Sequence, residues 1–541
     1  MNMKSNNNSI AQGDPLVSFD IPVYKVIDHF SEKYPHNTAI RYKEREISFS
    51  MLKNDTDRLA ASLQKLHVNK GDTVGIALAN CPEFIISVLA CMKAGAICVN
   101  NMSPFSTEKE LLYQIRDSQC TTVIIPYDQY IKFRKLYNLS QLKNIILVNT
   151  TDNSIESIDL TIEKDYYTNI TYIYQDLVAE HNSPEVKEVS QSLDDVAILQ
   201  YTSGTTGVFK GAMITHRNLC FMTQACIAQS LGMEANEKAL VVLPISHIYI
   251  LSVGVLTPLV GASTVILDHF FKVQDLFDLF NRHRPTYFVG VPALFASMNQ
   301  FKKLGFQVDL SSVRSFLCGG APLLPEVWQE FKDLFEIELC EGYGSSECSP
   351  IISCNLSGNK KPIKKGSVGV PFYNTKITID DPHKDGSGEI LVKGPQVMKG
   401  YWNMPEETDN VFTDNWLRTG DIGRIDDDGY LYIVGRKKDI ICVGGYNVFP
   451  GECDELLQSH PSIKEACVAG VPHKYLGEQI AAFVVLKEGE NLSKADVIKY
   501  CKGHSSPYKV PKVVVFKDSL PRTAITKIMR NQLRDDYISA R

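Results

Sequence analysis

The chain has 541 residues and a mass of 60.5 kDa, long enough for more than one domain with its own core. Hydrophobic residues make up 44% and charged residues 22%, which excludes a largely disordered chain, a collagen-like repeat and a long coiled coil. With a net charge of −6, the protein as a whole lacks the positive potential that nucleic-acid binding needs. The segment from Arg436 onward, however, contains 17 Lys and Arg and only 12 Asp and Glu, so it is basic. A basic segment of this kind suits either a lid over an anionic substrate or a solvated charged surface.

Cysteine usage and the N-terminus indicate the compartment. The fourteen cysteines include no C-x-x-C pair, so the sequence predicts reduced, mostly buried thiols in a cytoplasmic protein. Residues 1–15 are polar and predict a disordered tail without a signal peptide. The uncharged stretch Ile248–Leu267 is interrupted by Gly254, Pro258 and Gly261, which predicts a helix, a turn and a strand rather than a transmembrane segment.

Apolar strands alternate with helical segments in the first part of the chain. Strands are predicted at Thr73–Leu78, Thr122–Ile125, Ala239–Leu243 and Thr286–Gly290, and helices at Glu83–Ala94, Lys109–Asp117 and Pro325–Leu334. Buried strands that alternate with helices predict parallel sheets covered on both faces, an α/β architecture.

The pattern changes after Gly366 and again after Gly435. Segments Thr375–Ile379, Gly388–Val392 and Gly429–Ile433 stand between Gly and Asp turns and predict a small antiparallel β-rich subdomain. Beyond it, helices are predicted at Cys453–Ser459 and Lys494–Gly503, and strands at Ile463–Gly470, Ala481–Leu486 and Val513–Phe516. The sequence therefore predicts a large domain over residues 16–435 and a small mobile α+β domain over residues 436–541.

One loop carries most of the chemical information. Residues Tyr201–Gly211 read Tyr-Thr-Ser-Gly-Thr-Thr-Gly-Val-Phe-Lys-Gly and follow the apolar strand Val196–Gln200. Glycines, hydroxyl groups and Lys210 suit a loop that wraps phosphate oxygens, although composition alone fits a flexible surface loop equally well. It is not a Walker A loop, because Gly204 and Gly207 are only three residues apart.

This loop resembles the phosphate loop of the adenylate-forming superfamily, which includes acyl-CoA synthetases, 4-coumarate-CoA ligases, peptide-synthetase adenylation domains and luciferases. Further segments resemble the other motifs of that superfamily, in its order: Gly319–Leu323, Glu341–Glu347, Trp416–Asp421, Gly435–Ile441 and Pro521–Arg530. The resemblance covers residues 25–534. The chain departs from the usual pattern at Phe209 (Pro in the family), Ser346 (Thr) and Thr526 (Gly).

The resemblance implies an ATP site with Mg²⁺. The implied nucleotide-binding residues are Thr202, Ser203, Gly204, Thr205, Thr206, Gly207, Lys210, Gly320, Ala321, Glu341, Gly342, Tyr343, Ser346, Asp421 and Arg436. Lys527 is implied as the catalytic lysine, and Glu347 as the carboxylate that holds Mg²⁺. Fixed cations fit this chemistry, because a carboxylate must approach an α-phosphate that is already negative. Without the motifs, Glu347 and Lys527 would be interpreted as solvated side chains.

The carboxylic acid and its acceptor are assigned in the same way. Segment Pro244–Gly254 resembles the part of acyl- and aryl-CoA synthetases in which a histidine stands at the reacting carboxylate, here His247; a structural histidine is the alternative. The implied acyl-pocket residues are apolar: Tyr249, Val253, Val289, Gly290 and Gly319. For coenzyme A, Gly444 and Gly445 resemble the loop along the pantetheine tunnel, with a plain hairpin turn as the alternative. Lys438 is the implied hinge of the C-terminal lid.

Together these features predict an ATP-dependent, AMP-forming acyl-CoA synthetase for a medium- or long-chain fatty acid. The alternatives are an aryl-acid ligase of the 4-coumarate type and an enzyme that loads a separate carrier protein. A non-catalytic nucleotide-binding protein is disfavoured, because Glu347, Asp421, Arg436 and Lys527 are all present. A homodimer is a further expectation, and no nucleic-acid partner is expected.

Overall fold

The structure, a computed structural model, describes residues 20–103, 106–150, 170–179, 186–203, 209–228, 237–268, 272–355, 362–383, 385–443, 446–473, 476–522 and 528–540. The predicted tail at residues 1–15 lies outside these ranges. Several residues predicted for the site also lie outside them: Gly204, Thr205, Thr206, Gly207, Gly444, Gly445 and Lys527. For Ser203 only the backbone is described.

The first sheet has seven strands. Strands β1 (Thr38–Tyr42) and β2 (Arg45–Ser48) precede it in the chain and join the second sheet. The first sheet comprises β3 (Thr73–Ile76), β4 (Ile97–Asn100), β5 (Thr122–Pro126), β6 (Asn144–Val148), β7 (Thr171–Ile173), β8 (Val196–Ser203) and β9 (Phe209–Thr215), in the order β7-β6-β5-β3-β4-β8-β9. Neighbouring strands are parallel except β8 and β9, which form an antiparallel pair.

The second sheet has nine strands. With β1 and β2 it contains β10 (Lys238–Val241), β11 (Thr264–Leu267), β12 (Tyr287–Gly290), β13 (Ser315–Cys318), β14 (Cys340–Gly344), β15 (Ile351–Cys354) and β16 (Val370–Pro371), in the order β16-β15-β14-β13-β12-β10-β11-β1-β2. Its centre is parallel, and antiparallel pairs close both edges. The predicted α/β architecture is therefore confirmed, with antiparallel strands also inside the body.

Helices cover these sheets. They are α1 (Val23–Lys33), α2 (Phe49–Lys65), α3 (Pro82–Ala94), α4 (Glu108–Asp117), α5 (Tyr130–Asn138), α6 (Tyr174–Ala179), α7 (His216–Cys226), α8 (Thr257–Val260), α9 (Val273–His283), α10 (Pro292–Lys303) and α11 (Pro325–Phe335). A π-helical stretch, Ile250–Leu256, runs directly into α8, and a turn at Gly261 leads to β11, as the sequence predicts. Among the described residues, no helix combines the length and apolarity needed to span a membrane.

The two sheets share one hydrophobic core, which brings their strand ends together. Ile76 and Ala197 of the first sheet belong to the same buried cluster as Val241 and Leu317 of the second. Polar contacts also join them: the Asn80 side chain, after β3, donates to the Leu243 carbonyl at 2.9 Å. Asn80 Oδ1 accepts the Ile245 N–H at 3.0 Å, so the chain that leads to His247 is fixed to the first sheet.

Two smaller sheets follow. The β-rich part comprises β17 (Lys376–Asp380), β18 (Gly388–Lys393), α12 (Pro405–Val411), β19 (Phe412–Thr413), β20 (Trp416–Ile425) and β21 (Leu431–Arg436), paired antiparallel as predicted. The C-terminal part comprises β22 (Ile441–Val443), β23 (Tyr446–Val448), α13 (Pro450–Gln458), β24 (Ile463–His473), β25 (Gly477–Leu486), α14 (Lys494–His504), β26 (Val513–Phe516) and α15 (Arg530–Ser539). Its core clusters draw their members from residues 441–537 alone, so this small α+β domain has a core of its own.

The cysteines fit the sequence prediction. All fourteen are free thiols, and every one except Cys442 is buried. They act as small apolar side chains in the core.

Candidate active site

Strands β8 and β9 contain the two ends of the predicted phosphate loop, whose middle, residues 204–208, lies outside the described residues. Thr202 lies opposite Lys210 and Ser203 opposite Phe209 in the strand register. The preceding Tyr201 is buried, and its hydroxyl donates to Asp117 Oδ2 at 2.5 Å. On the other strand, the Tyr113 hydroxyl donates to the Phe209 carbonyl at 2.9 Å. Side chains from α4 thus fix both strands next to the loop.

Lys210 lies between an aromatic ring and a carboxylate. Its Nζ stands 5.1 Å from the centre of the Tyr401 ring, within the range of a cation–π contact. The ammonium also forms an ion pair with Glu407 on α12. Lys210 is mostly covered, with 16% of its side chain exposed, so it is directed into the site rather than into solvent.

Glu347 is held by the same aromatic residue. It belongs to the short 3₁₀ helix Ser346–Cys348 that follows β14. The Tyr401 hydroxyl donates to Glu347 Oε1 at 2.9 Å, and the Met398 N–H donates to the Glu347 backbone carbonyl at 2.8 Å. Tyr401 therefore touches both the predicted phosphate ligand and the predicted metal ligand.

The donor set around Glu347 fits Mg²⁺ bound together with a nucleotide. The described residues contain no group of three or more His, Cys, Asp or Glu side chains that could enclose a metal ion. Mg²⁺ in nucleotide sites is commonly held by one or two carboxylates, with phosphate oxygens and waters as the remaining ligands. A single carboxylate, oriented by a hydroxyl group, meets that requirement.

Three predicted residues meet at Asp421. This aspartate is buried on β20, directly opposite Arg436 of β21 in the strand register. The Tyr343 hydroxyl donates to Asp421 Oδ2 at 2.7 Å, and Arg436 Nε lies 3.2 Å from Oδ1. The carboxylate is thus held in one orientation by an aromatic residue of β14 and a cation of β21.

The predicted nucleotide-binding residues of segments Gly319–Leu323 and Glu341–Glu347 follow or lie on neighbouring parallel strands. Cys318, at the end of β13, pairs with Glu341 of β14, so Gly320 and Ala321 follow beside Gly342 and Tyr343. Gly320 has φ of +83°, a left-handed conformation that favours glycine. Glu341 is buried, and one carboxyl oxygen accepts the Leu323 N–H at 3.2 Å. Burial raises the pKa of Glu341 to about 8, so its neutral form prevails at neutral pH.

Two of the predicted acyl-pocket residues, Gly290 and Gly319, lie next to a third, Tyr249. Its buried hydroxyl lies 3.4 Å from the Leu317 carbonyl and 3.5 Å from the Gly290 carbonyl. A β-carbon at Gly319 would stand 3.2 Å from the Tyr249 ring, so a larger residue there would require the ring to shift by a few tenths of an ångström. Val289 precedes Gly290 on β12, and Val253 is buried in the π-helical stretch. The structure therefore brings Tyr249 together with the ends of β12 and β13.

His247 lies partly buried just before this stretch. Its Nδ1 accepts the Tyr249 N–H at 3.3 Å. An accepting Nδ1 places the proton of the neutral ring on Nε2, where it can be donated.

The predicted hinge lies close to the nucleotide residues. Lys438 belongs to the 3₁₀ turn Lys437–Asp439, directly after Arg436. Partial burial and the charges of Arg436 and Lys210 lower the pKa of Lys438 below its usual range. The structure therefore places Lys438 close in the chain to Arg436, the cross-strand partner of Asp421.

Sequence and structure comparisons identify the family. A family model described as AMP-binding enzyme matches residues 27–402, and one described as AMP-binding enzyme C-terminal domain matches residues 452–527. The chain belongs to the AMP-binding enzyme family. The sequence prediction of an adenylate-forming, AMP-forming acyl-CoA ligase is confirmed at this level.

Individual relatives cover nearly the whole chain of this AMP-binding enzyme. It is 37% identical to a long-chain-fatty-acid–CoA ligase of Bacillus subtilis (strain 168), over 94% of each chain. It is 31% identical to a feruloyl-CoA synthase of an Amycolatopsis species, over 92% of this chain and 96% of the relative. The crystal structure of ATP-bound MatB from Rhodopseudomonas palustris is 27% identical, with a TM-score of 0.83 over 96% of this chain and 99% of the other.

Several residues of the site have no counterpart among the predicted ones. Tyr401 and Glu407 contact Lys210 although they lie at least 191 residues after it in the chain. Tyr113 and Asp117 of α4 form hydrogen bonds with strands β9 and β8. The only sequence signal near the first pair is the turn-forming Gly400 before Tyr401. Because the contacts arise from the pairing of residues 398–402 with β9, no local spacing reveals them.

Proposed function

We propose that this AMP-binding enzyme is an ATP-dependent ligase that joins a medium- or long-chain fatty acid to coenzyme A. The observation that carries the nucleotide site is the convergence of Tyr343 and Arg436 on the buried carboxylate of Asp421. The fatty-acid substrate is supported by relatives named long-chain-fatty-acid–CoA ligase at 32–37% identity. The apolar surroundings of Tyr249 support it as well.

In the first step, a carboxylate oxygen of the acid attacks the α-phosphorus of ATP. The new bond is an acyl C–O–P linkage, and the bond between the α- and β-phosphates breaks, with pyrophosphate taking the electron pair. Lys210 and Lys527 are proposed as fixed cations for the developing charge, and His247 donates from Nε2 to the carboxylate. Glu347 would hold Mg²⁺, which would neutralise negative charge on the phosphate oxygens.

In the second step, the thiolate of coenzyme A attacks the acyl carbonyl carbon. A thioester forms, the acyl–phosphate bond breaks and AMP leaves. We propose that residues 436–541 turn about Lys438 between the steps and that Gly444 and Gly445 line the path of the thiol. The basic C-terminal domain suits this role, because ATP, pyrophosphate and coenzyme A are all polyanions.

A substrate series tests the proposal. Pyrophosphate release and thioester formation would be measured with saturated fatty acids of increasing length and with 4-coumarate. Each buried methylene contributes about 0.8 kcal/mol, roughly fourfold in affinity, until the pocket is filled. Release with fatty acids alone supports the proposal, whereas preference for coumarate identifies an aryl-acid ligase, the candidate favoured by the feruloyl-CoA synthase relative. Pyrophosphate release without thioester formation identifies a carrier-loading enzyme.

The role of Lys527 is tested with the two half-reactions. Lys527→Ala is expected to raise the first barrier by about 3 kcal/mol, because it removes a fixed charge from the transition state. It should leave thioester formation from supplied acyl-adenylate nearly unchanged. Lys494→Ala, at an exposed position on the same domain, is the matched control. Equal losses in both half-reactions would contradict a lid that presents Lys527 in the first step only.

The remaining predictions complete the proposal. Free thiols support a cytoplasmic location, which fractionation of cells that express the protein would test. The homodimer stays a prediction, and the molecular mass in solution would test it. The domain boundary between residues 435 and 436 also stays a prediction, and limited proteolysis would test it.

A further inference from the structure

Glu407 forms an ion pair with Lys210, the lysine that is predicted to bind phosphate. Its carboxylate pairs with the Lys210 ammonium, although the two residues are 197 positions apart. Lys210 is mostly covered, whereas 48% of the Glu407 side chain is exposed. The cation is therefore fixed in the site, and its partner stands at the edge next to solvent.

The position of Glu407 is set by the backbone. The Met213 N–H donates to the Gly400 carbonyl at 2.9 Å, and the Trp402 N–H donates to the Gly211 carbonyl at 2.8 Å. This pairing fixes residues 398–402 against the strand that carries Lys210. The Tyr401 N–H then donates to Thr408 Oγ1 at 2.9 Å, which fixes the first turn of α12. Glu407 precedes Thr408 directly, so α12 presents the carboxylate to Lys210.

A carboxylate in this place competes with phosphate. Lys210 Nζ can form charge-assisted hydrogen bonds with a carboxylate or with a phosphate oxygen. A phosphate chain carries several negative charges and displaces a single partly exposed carboxylate, whose ion pair is weak because solvent screens it. The stabilisation that the Lys210–Glu407 ion pair gives the free enzyme is lost when phosphate binds. Glu407 therefore lowers the affinity for both ATP and pyrophosphate.

We propose that Glu407 is a displaceable counter-ion of Lys210 that weakens pyrophosphate binding and thereby speeds its release. The inference rests on the proposed function, since it takes Lys210 as a phosphate ligand. When pyrophosphate leaves, Glu407 returns to Lys210, which neutralises the cation and opposes rebinding. Glu407 acts through Lys210 and takes no part in bond formation.

The experiment compares two neighbouring glutamates. Glu407→Gln and Glu406→Gln remove the same charge from the same helix, and both side chains are exposed. Pyrophosphate and ATP affinities would be measured by calorimetry with Mg²⁺, and pyrophosphate release by rapid mixing. Glu407→Gln is expected to bind pyrophosphate three- to tenfold more tightly and to release it more slowly by a similar factor. Glu406→Gln should stay within twofold of the wild type, with matching melting temperatures for all three proteins.

A double-mutant cycle connects the effect to Lys210. In the Lys210→Gln background, Glu407→Gln should change the pyrophosphate affinity by less than twofold. Equal effects of Glu406→Gln and Glu407→Gln, or an undiminished effect without Lys210, would overturn the inference in favour of general charge repulsion. If the wild type binds neither ATP nor pyrophosphate, the proposed function itself fails. If it binds both and Glu407→Gln changes neither, only the counter-ion role fails.

Discussion

The Tyr343 hydroxyl donates to Asp421 at 2.7 Å and so connects two motifs that are 78 residues apart in the chain. Asp421 also pairs with Arg436, its cross-strand neighbour. A carboxylate that accepts a hydrogen bond from a tyrosine hydroxyl and pairs with a cross-strand arginine is already oriented before a ligand arrives, which lowers the entropic cost of binding. The hydroxyl of Tyr343 thus orients Asp421, one of the predicted nucleotide-binding residues.

Tyr343→Phe is expected to lower the affinity for ATP about three- to tenfold. The ring stays, but the Asp421 carboxylate loses a charge-assisted hydrogen bond and with it part of its fixed orientation. In an Asp421→Asn background, the same change should have little further effect, because the two residues act as a pair. ATP affinity measured by calorimetry checks this. Tyr500→Phe, which removes a lid-surface hydroxyl paired with Ser459, is the control. Additive losses in the double mutant would show that Tyr343 acts independently of Asp421.

Tyr401 allows its two contacts to be separated. Tyr401→Phe removes the donor to Glu347 but keeps the ring beside Lys210. We expect a several-fold higher Mg²⁺ concentration for half-maximal stabilisation of the ATP complex, measured as the Mg²⁺-dependent shift in melting temperature. Tyr401→Leu removes both contacts, so it should also weaken ATP binding when Mg²⁺ is saturating. A normal Mg²⁺ response in Tyr401→Phe would show that the hydroxyl does not orient Glu347.

The sequence predicts the local parts of this molecule better than the pairing between distant segments. Strand Val513–Phe516 has the predicted bounds, because a run of apolar residues between polar ones determines it. The helix predicted from Cys453 begins at Pro450, since proline is favoured in the first turn of a helix. The sequence does not predict β9 or its antiparallel pairing with β8, because Lys210 and Gly211 interrupt the apolar pattern of Phe209–Thr215.

The site divides in the same way. The order of the motifs predicts that Asp421, Arg436 and Tyr343 belong to one nucleotide site, and the structure places Tyr343 and Arg436 in contact with Asp421. The sequence does not predict Tyr401 and Glu407, because their contact with Lys210 depends on a backbone pairing between segments about 190 residues apart. Side-chain pattern within a segment carries no information about such pairing.

Phe209 replaces the proline that is usual in the family, and Tyr113 supplies a different constraint at this position. The Tyr113 hydroxyl donates to the Phe209 carbonyl at 2.9 Å, and the ring centres are 6.1 Å apart. Tyr113→Phe is expected to raise KM for ATP several-fold with kcat nearly unchanged, because the Phe209 backbone next to Lys210 loses its hydrogen bond. In a Phe209→Pro background the effect should shrink, because proline fixes φ by itself. Steady-state kinetics of the four proteins checks this, and equal losses in both backgrounds would contradict it.

Glu341 makes the stability of the protein depend on pH. Burial raises its pKa from 4.5 in the unfolded chain to about 8 in the folded protein. Between these values the folded state keeps a proton that the unfolded state has lost, so the contribution of Glu341 to stability is complete below pH 4.5 and falls as the pH rises to about 8. The slope is about 1.4 kcal/mol per pH unit for one proton. Glu341→Gln keeps an oxygen acceptor for the Leu323 N–H and does not titrate.

The melting temperature of Glu341→Gln relative to the wild type should therefore increase steadily from pH 5 to pH 8 and stay constant above. The difference between the two proteins cancels the titration of all other groups. Glu44→Gln, at an exposed position, should show no such trend. A pH-independent difference between Glu341→Gln and the wild type would mean that the Glu341 carboxyl is ionised in the folded protein throughout this range.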